Sequence, residues 1–211
     1  MTHRDPAAFD EAWGRFVSWL SVHAPADHAA LRPPATAGEI ATLEAHLGVP
    51  LHPQLRALLE RHNGVAELRP TPERGTFQAG AFLPLGHRLD HTDRIAETHR
   101  MLVDFGEQNI ASGLWEEDDL NGHAHQWVPF AHPNDGGVAF IDHRPGPTYG
   151  RVYEMGIGSG AVDGTEWASD LAELFGSLAD SLEAGTPFSH FWPVTHEHPS
   201  GRFYLTWDME T

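Results

Sequence analysis

Between residues 127 and 155 three short apolar runs are separated by two concentrated turn signals, WVPFAHPNDGGVAFIDHRPGPTYGRVYEM. Trp127, Val128 and Phe130 make the first run, Val138, Phe140 and Ile141 the second, and Val152, Tyr153 and Met155 the third. All are residue types that suit a pleated, half-buried surface. Asn134-Asp135-Gly136-Gly137 tolerates the positive φ that a hairpin turn demands, and Arg144-Pro145-Gly146-Pro147 cannot continue a ladder because proline has no N–H. The pattern predicts a three-stranded antiparallel meander at the centre of the fold.

Helical periodicity flanks it. Asp5-Pro6 predicts a helix start, with Phe9, Trp13, Phe16, Val17 and Leu20 on one stripe and Pro25 closing it; Arg32-Pro33-Pro34 then reads as an extended linker. Thr36 and Glu39 have capping-box spacing, Ile40, Leu43 and Leu47 face inward, and Gly48 ends the second helix. Pro53 starts a third with Leu55, Leu58 and Leu59 inward, and Asn63-Gly64 suits a left-handed cap. Residues 65–80 read as loop, and Phe82-Leu83-Pro84-Leu85 as an edge strand. Thr92 is placed to cap a fourth helix carrying Ile95, Met101, Leu102 and Phe105. Periodicity fails over 107–126, which predicts a long surface loop. After the meander a helix is expected from about Ser169, with Leu171, Leu174, Phe175, Leu178 and Leu182 on one face and Gly185 as its stop. An aromatic tail, Phe188, Phe191 and Trp192, leads to a strand over 203–207. Helices before and after a largely antiparallel sheet make the class α+β, with helices packed against the sheet, and residues 1–211 fit one domain.

Composition narrows the chemistry. There is no cysteine, which removes disulfides, thiolate metal sites and thiol nucleophiles and leaves histidine and carboxylates. The first residues hold no basic segment followed by an apolar run, and no stretch has enough consecutive apolar residues to span a bilayer, so the expected location is cytoplasmic. Thirty Asp and Glu face thirteen basic residues, all arginine, for a formal charge of −17. That balance repels nucleic acid and anionic membranes and attracts a basic partner. Acidity that serves solubility alone is the plainer reading.

The candidate chemical motifs are each incomplete. Gly156 to Ala161, GIGSGA, formally matches a dinucleotide fingerprint, but it follows an antiparallel meander and precedes no apolar helix, so a flexible turn is expected. Two His-x-His pairs, His123/His125 and His196/His198, have usable metal spacing if each lies on a strand, yet no third ligand completes either site. No G-x-S-x-G elbow or H-E-x-x-H helix occurs. Asp135, Asp142 and Glu154 lie on or beside the meander and offer an acid/base pair only if they converge; the alternatives are a turn hydrogen bond for Asp135 and, for Asp142, a strand-end cap or an ion pair with Arg144 or Arg151. Neither a catalytic residue, a cofactor nor a metal is assigned. The acidic run Glu116, Glu117, Asp118 and Asp119 beside Trp115 is the leading recognition feature, since aromatic anchors ringed by charge build protein hot spots. A solvated loop with Trp115 folded back onto the core explains it equally well.

The order of several motifs resembles the SUKH superfamily, of the cell-wall assembly regulator (Smi/Knr) type. Its opening signature is similar to Pro34, Thr36, Glu39-Ile40, Leu43-Glu44, Leu47-Gly48, Pro50-Leu51, Leu58-Leu59 and Asn63-Gly64, and its central one to Trp127 through Ala131, Asp135-Gly136-Gly137, Phe140-Ile141-Asp142 and Val152. Ala168-Ser169 before an amphipathic helix also fits. The resemblance covers roughly residues 33–184; the first helix and the tail after Gly185 fall outside it, and Val49-Pro50-Leu51-His52-Pro53 departs from the usual Leu-Pro. It implies a protein-binding role without catalysis. Bacterial members are commonly immunity proteins that neutralise a cognate toxin, and fungal members regulate cell-wall synthesis. The expectation is therefore an immunity protein whose partner is a basic toxin domain, with Trp115, Glu116, Glu117, Asp118, Asp119, Asp135 and Asp142 as candidate partner-binding residues. A regulatory scaffold of envelope synthesis is the first alternative and a His/carboxylate metalloenzyme the second.

Overall fold

A computed structural model describes residues 6–66, 79–114, 120–133, 136–156, 164–197 and 201–209. The fold is α+β: among the described residues six helices accompany a five-stranded antiparallel sheet and a separate two-stranded one. None of the helices is long and apolar enough to cross a membrane.

The meander forms the middle of the larger sheet. β2 (Trp127–His132), β3 (Val138–Asp142) and β4 (Val152–Met155) pair in sequence, with Phe140 opposite Tyr153 and Val128 opposite Ile141. β1 (Arg88–Leu89) and β5 (Thr165–Ala168) add one strand to each side, giving the order β1-β2-β3-β4-β5. Gly136, at φ +85, supplies the left-handed residue of the first turn. Strand alternation divides the sheet into two faces. Val128, Phe130, Ile141 and Val152 enter the main core, whereas Trp127, Phe140 and Tyr153 stack in a ladder on the other face. The ladder rings lie 4.2 and 5.6 Å apart at near-parallel planes, and Leu102 covers them from a helix above.

Helices build the main core. α1 (Pro6–His23) lies against α6 (Leu171–Ala184), and Phe175 is the point of contact: Trp13 meets it edge-on at 4.7 Å, Phe16 at 5.4 Å and Phe9 at 6.0 Å. α3 (Ala37–Leu47) begins in the expected capping box, with Thr36 Oγ1 accepting from Glu39 N and Glu39 Oε2 from Thr36 N, and it ends on Gly48 at φ +70. α4 (Pro53–Arg61) starts at the expected proline. α6 is capped by the Asp170 side chain and stops at Gly185, φ +65.

Several local expectations are corrected. Pro25 does not merely end α1; it opens a second short helix, α2 (Pro25–Ala30), because the residue before it adopts a non-helical conformation while proline suits the first helical turn. Leu83 and Leu85 form no edge strand: Pro84–Gly86 is a 3-10 turn with Leu85 at φ +58, and the edge is taken by β1. α4 ends in extended backbone at His62, with no left-handed cap. Asn63 instead uses its side chain, Oδ1 accepting from Thr92 N, and Gly64 (φ +70) lets the chain pass Asp90, where an added Cβ would sit 2.5 Å from the Asp90 carbonyl carbon. The fourth long helix, α5 (Thr92–Ala111), is capped by His91 rather than Thr92 and runs well into the expected loop, while 120–126 is a 3-10 turn.

The tail is a hairpin. β6 (Phe191–Glu197), not foreseen as a strand, pairs along its whole length with β7 (Phe203–Met209). Trp207 Nε1 donates to Phe82 O at 2.8 Å and the Asp27 carboxylate of α2 accepts from Leu205 N and Gly80 N, so the two terminal additions close on each other.

Candidate functional site

Trp115, Glu116, Glu117, Asp118, Asp119 and Asp135 lie outside the described residues, as does the stretch 157–163 that holds most of the glycine run. Asp142 is described, and its side chain is fully buried at the end of β3. Its Oδ1 accepts from Arg144 N and its Oδ2 from the Arg144 guanidinium, at 2.7 to 2.8 Å. The geometry is that of the ion pair with Arg144 weighed from sequence, and it pins the turn between β3 and β4.

The histidines are built into the frame. His143 Nδ1 donates to Ile141 O, which leaves Nε2 with a lone pair to accept from His52 N at 2.9 Å. The bond accepted at Nε2 needs the neutral ring, and burial pushes the His143 pKa down, against the raising effect of the bond to Ile141 O. His123 and His125 sit in the 3-10 turn rather than on a strand, with ring centres 6.3 Å apart. His196 does lie on β6, hydrogen-bonded to Thr206 Oγ1; His198 is outside the described residues. Among the described residues no group of three or more His, Asp or Glu is arranged to hold a metal ion.

A concavity of about 600 Å³ lies between α3 and α5. Asn63 sets the two helices side by side: its N–H donates to Pro33 O, just before α3, and its Oδ1 takes the N–H of Thr92, the first residue of α5. At the other end His46 meets His99 with ring centres 6.1 Å apart. The helices therefore run in the same direction and leave a groove about two turns long. Glu39, Thr42, Leu43 and His46 line one wall, at helical spacing, and Asp93, Ala96, Glu97 and Arg100 the other. Leu43 is buried at its floor. Hydrogen bonds from the Thr36 N–H and hydroxyl hold the Glu39 carboxyl below its ordinary pKa, so it is charged at neutral pH. Glu97 is shared with Arg94 at 2.9 Å.

This groove is not legible in the sequence because its facing walls, such as Glu39 and Asp93, are 54 residues apart and each helix shows first its buried stripe. The available signal was the polar face of α5, where Asp93 and Glu97 recur four apart with Ala96 between them. The same helix corrects another expectation: Ile95 and Leu102 are buried, but Met101 and Phe105 point outward.

The groove between α3 and α5 is acidic and lined by threonine, histidine and small residues. In comparison with known proteins, a model of the SMI1 / KNR4 family (SUKH-1) matches residues 34–183. No protein of curated function matches the chain.

Proposed function

This chain belongs to the SMI1 / KNR4 family (SUKH-1), and on that premise we propose that it is a non-catalytic, cytoplasmic protein-binding module that neutralises a basic toxin domain by covering an essential surface of it. The observation that carries the choice of partner is the formal charge of −17. A surface of that sign accelerates encounter with a basic protein and repels nucleic acid, so it competes well for a toxin groove built to hold phosphate. The buried ion pair of Asp142 and the structural bonds of His143 account for the most suggestive polar side chains without chemistry. A module of this kind acts stoichiometrically and shows no turnover.

The test is capture of partners on the tagged protein from lysate of its source, elution with salt and identification by mass spectrometry, followed by a growth assay of the captured protein with and without this chain. A basic protein that is toxic alone and harmless in its presence supports the reading. Capture of envelope-synthesis proteins without toxicity moves the assignment to a regulatory scaffold.

A further inference from the structure

We propose that the α3–α5 groove and the outer face of α5 beside it form one docking surface for a basic amphipathic segment of a partner protein. The proposal rests on the protein-binding reading above and locates its interface. Two independent features meet there. One is the groove itself, with a floor of Leu43 and Ala96 small enough for a side chain to enter. The other is an exposed apolar pair: Met101 is 49% and Phe105 41% exposed, on the flank of α5 that borders its buried residues Thr98 and Leu102.

Helical spacing makes these one surface. Asp93, Glu97, Met101 and Phe105 follow one another at steps of four, a ridge that drifts about 40° per step and so runs from the groove rim, which the first two line, over the crest of α5 to its far flank, with Asp104 on the crest beside it. The apolar pair is thus flanked by carboxylates, with Glu39 across the groove adding another. Arg94 and Arg100 offset part of this charge, and Arg94 is held by Glu97. The net sign remains acidic.

Charge then selects the occupant. A second copy of this chain would bring its own excess of acid to the contact and be repelled, and nucleic acid would be repelled more strongly. A helix with arginine or lysine along its edges and one or two apolar side chains between them satisfies both features. Its apolar residues would cover Met101 and Phe105, and its cations would lie against Asp93, Glu97 and Asp104.

The probe is a synthetic helical peptide with leucines on one face and arginines along the edges, compared with the same peptide carrying glutamate for arginine. Binding is followed by amide chemical shifts of the full-length ¹⁵N-labelled protein at low and high salt. The proposal expects saturable, salt-sensitive shifts over 36–46 and 93–105 with the arginine peptide only. The paired substitution Met101→Ser/Phe105→Ser, and separately Asp93→Asn/Glu97→Gln/Asp104→Asn, should each weaken binding about tenfold or more, with thermal unfolding showing both variants folded. Equal binding by the variants, shifts centred elsewhere, binding of the glutamate peptide, or no saturable binding overturns it. Salt-eluted capture of the same basic partner by wild type and both variants would then show that the basic-partner reading survives without this surface.

Discussion

Asp27 Oδ2 accepts the N–H of Leu205 at 2.6 Å, joining α2 to β7 across a sequence separation of 178 residues. Its Oδ1 takes the N–H of Gly80 at 2.7 Å, so one fully buried carboxylate satisfies two backbone donors from segments far apart in sequence, beside the Trp207 Nε1 bond to Phe82 O. Both terminal additions lie outside the family-matched residues 34–183, yet they reach each other through this side chain. Asp27→Ala should leave both N–H groups without that acceptor and cost about 2–5 kcal/mol, read from urea unfolding midpoints.

The same carboxylate sets a pH dependence. Burial raises the Asp27 pKa from 3.8 to about 7, against the lowering effect of the Leu205 and Gly80 N–H groups and of Arg88. The folded state therefore binds a proton that the unfolded state releases near its ordinary pKa. Stability from this proton is fully present below about pH 4 and is lost as pH rises through about 7, a span on the order of 4 kcal/mol. Asp27→Asn cannot titrate. Subtracting its melting curve from that of the wild type should isolate a decline between those limits; a flat difference would remove the assignment.

His143 predicts the opposite sign. Its pKa is lowered by burial, so the unfolded state takes up a proton first and stability falls as pH drops below about 6.5. His143→Phe removes the acceptor of the buried His52 N–H, at about 1–3 kcal/mol, and should abolish that acid-side loss in a comparison of melting temperatures between about pH 5 and 7.

Phe175 tests the packing of α1 on α6. Three aromatic rings converge on it, each within 6.0 Å. Phe175→Ala opens a cavity among them and should cost about 3–5 kcal/mol in chemical unfolding, whereas Phe175→Leu retains most of the volume and should cost clearly less.

What could be read from the sequence was local. The capping box of Thr36 and Glu39, the proline start of α4, the turn at Gly136 and the stops at Gly48 and Gly185 all act within a few residues of themselves, and each stands where its chemistry places it. Non-local choices were not legible. Asp27 lies in PADHAA with no local sign of its role, because its partners are 53 and 178 residues away. β6 contains Pro193 and reads as a tail until β7 pairs with it. The site suffered most: the α3–α5 groove exists only once Asn63 has brought two distant helix starts together. The periodicity of α5 also gave two stripes where one was expected, and only packing decides that Leu102 is inside and Met101 outside.

The acidic run provides the last test, because it follows α5 closely in sequence. Replacing Glu116, Glu117, Asp118 and Asp119 with Gln or Asn removes four negative charges without touching the described core. If the run takes part in recognition, affinity for a basic partner should fall and its salt dependence should flatten, chiefly through a slower association rate, since complementary charge speeds encounter more than it holds the complex. Stopped-flow association at two ionic strengths separates this from the groove. Loss confined to the association rate assigns the run to steering, while loss in dissociation makes it part of the contact. Unchanged rates in both directions would remove Glu116 to Asp119 from recognition and place the acidic contribution on Asp93, Glu97 and Asp104.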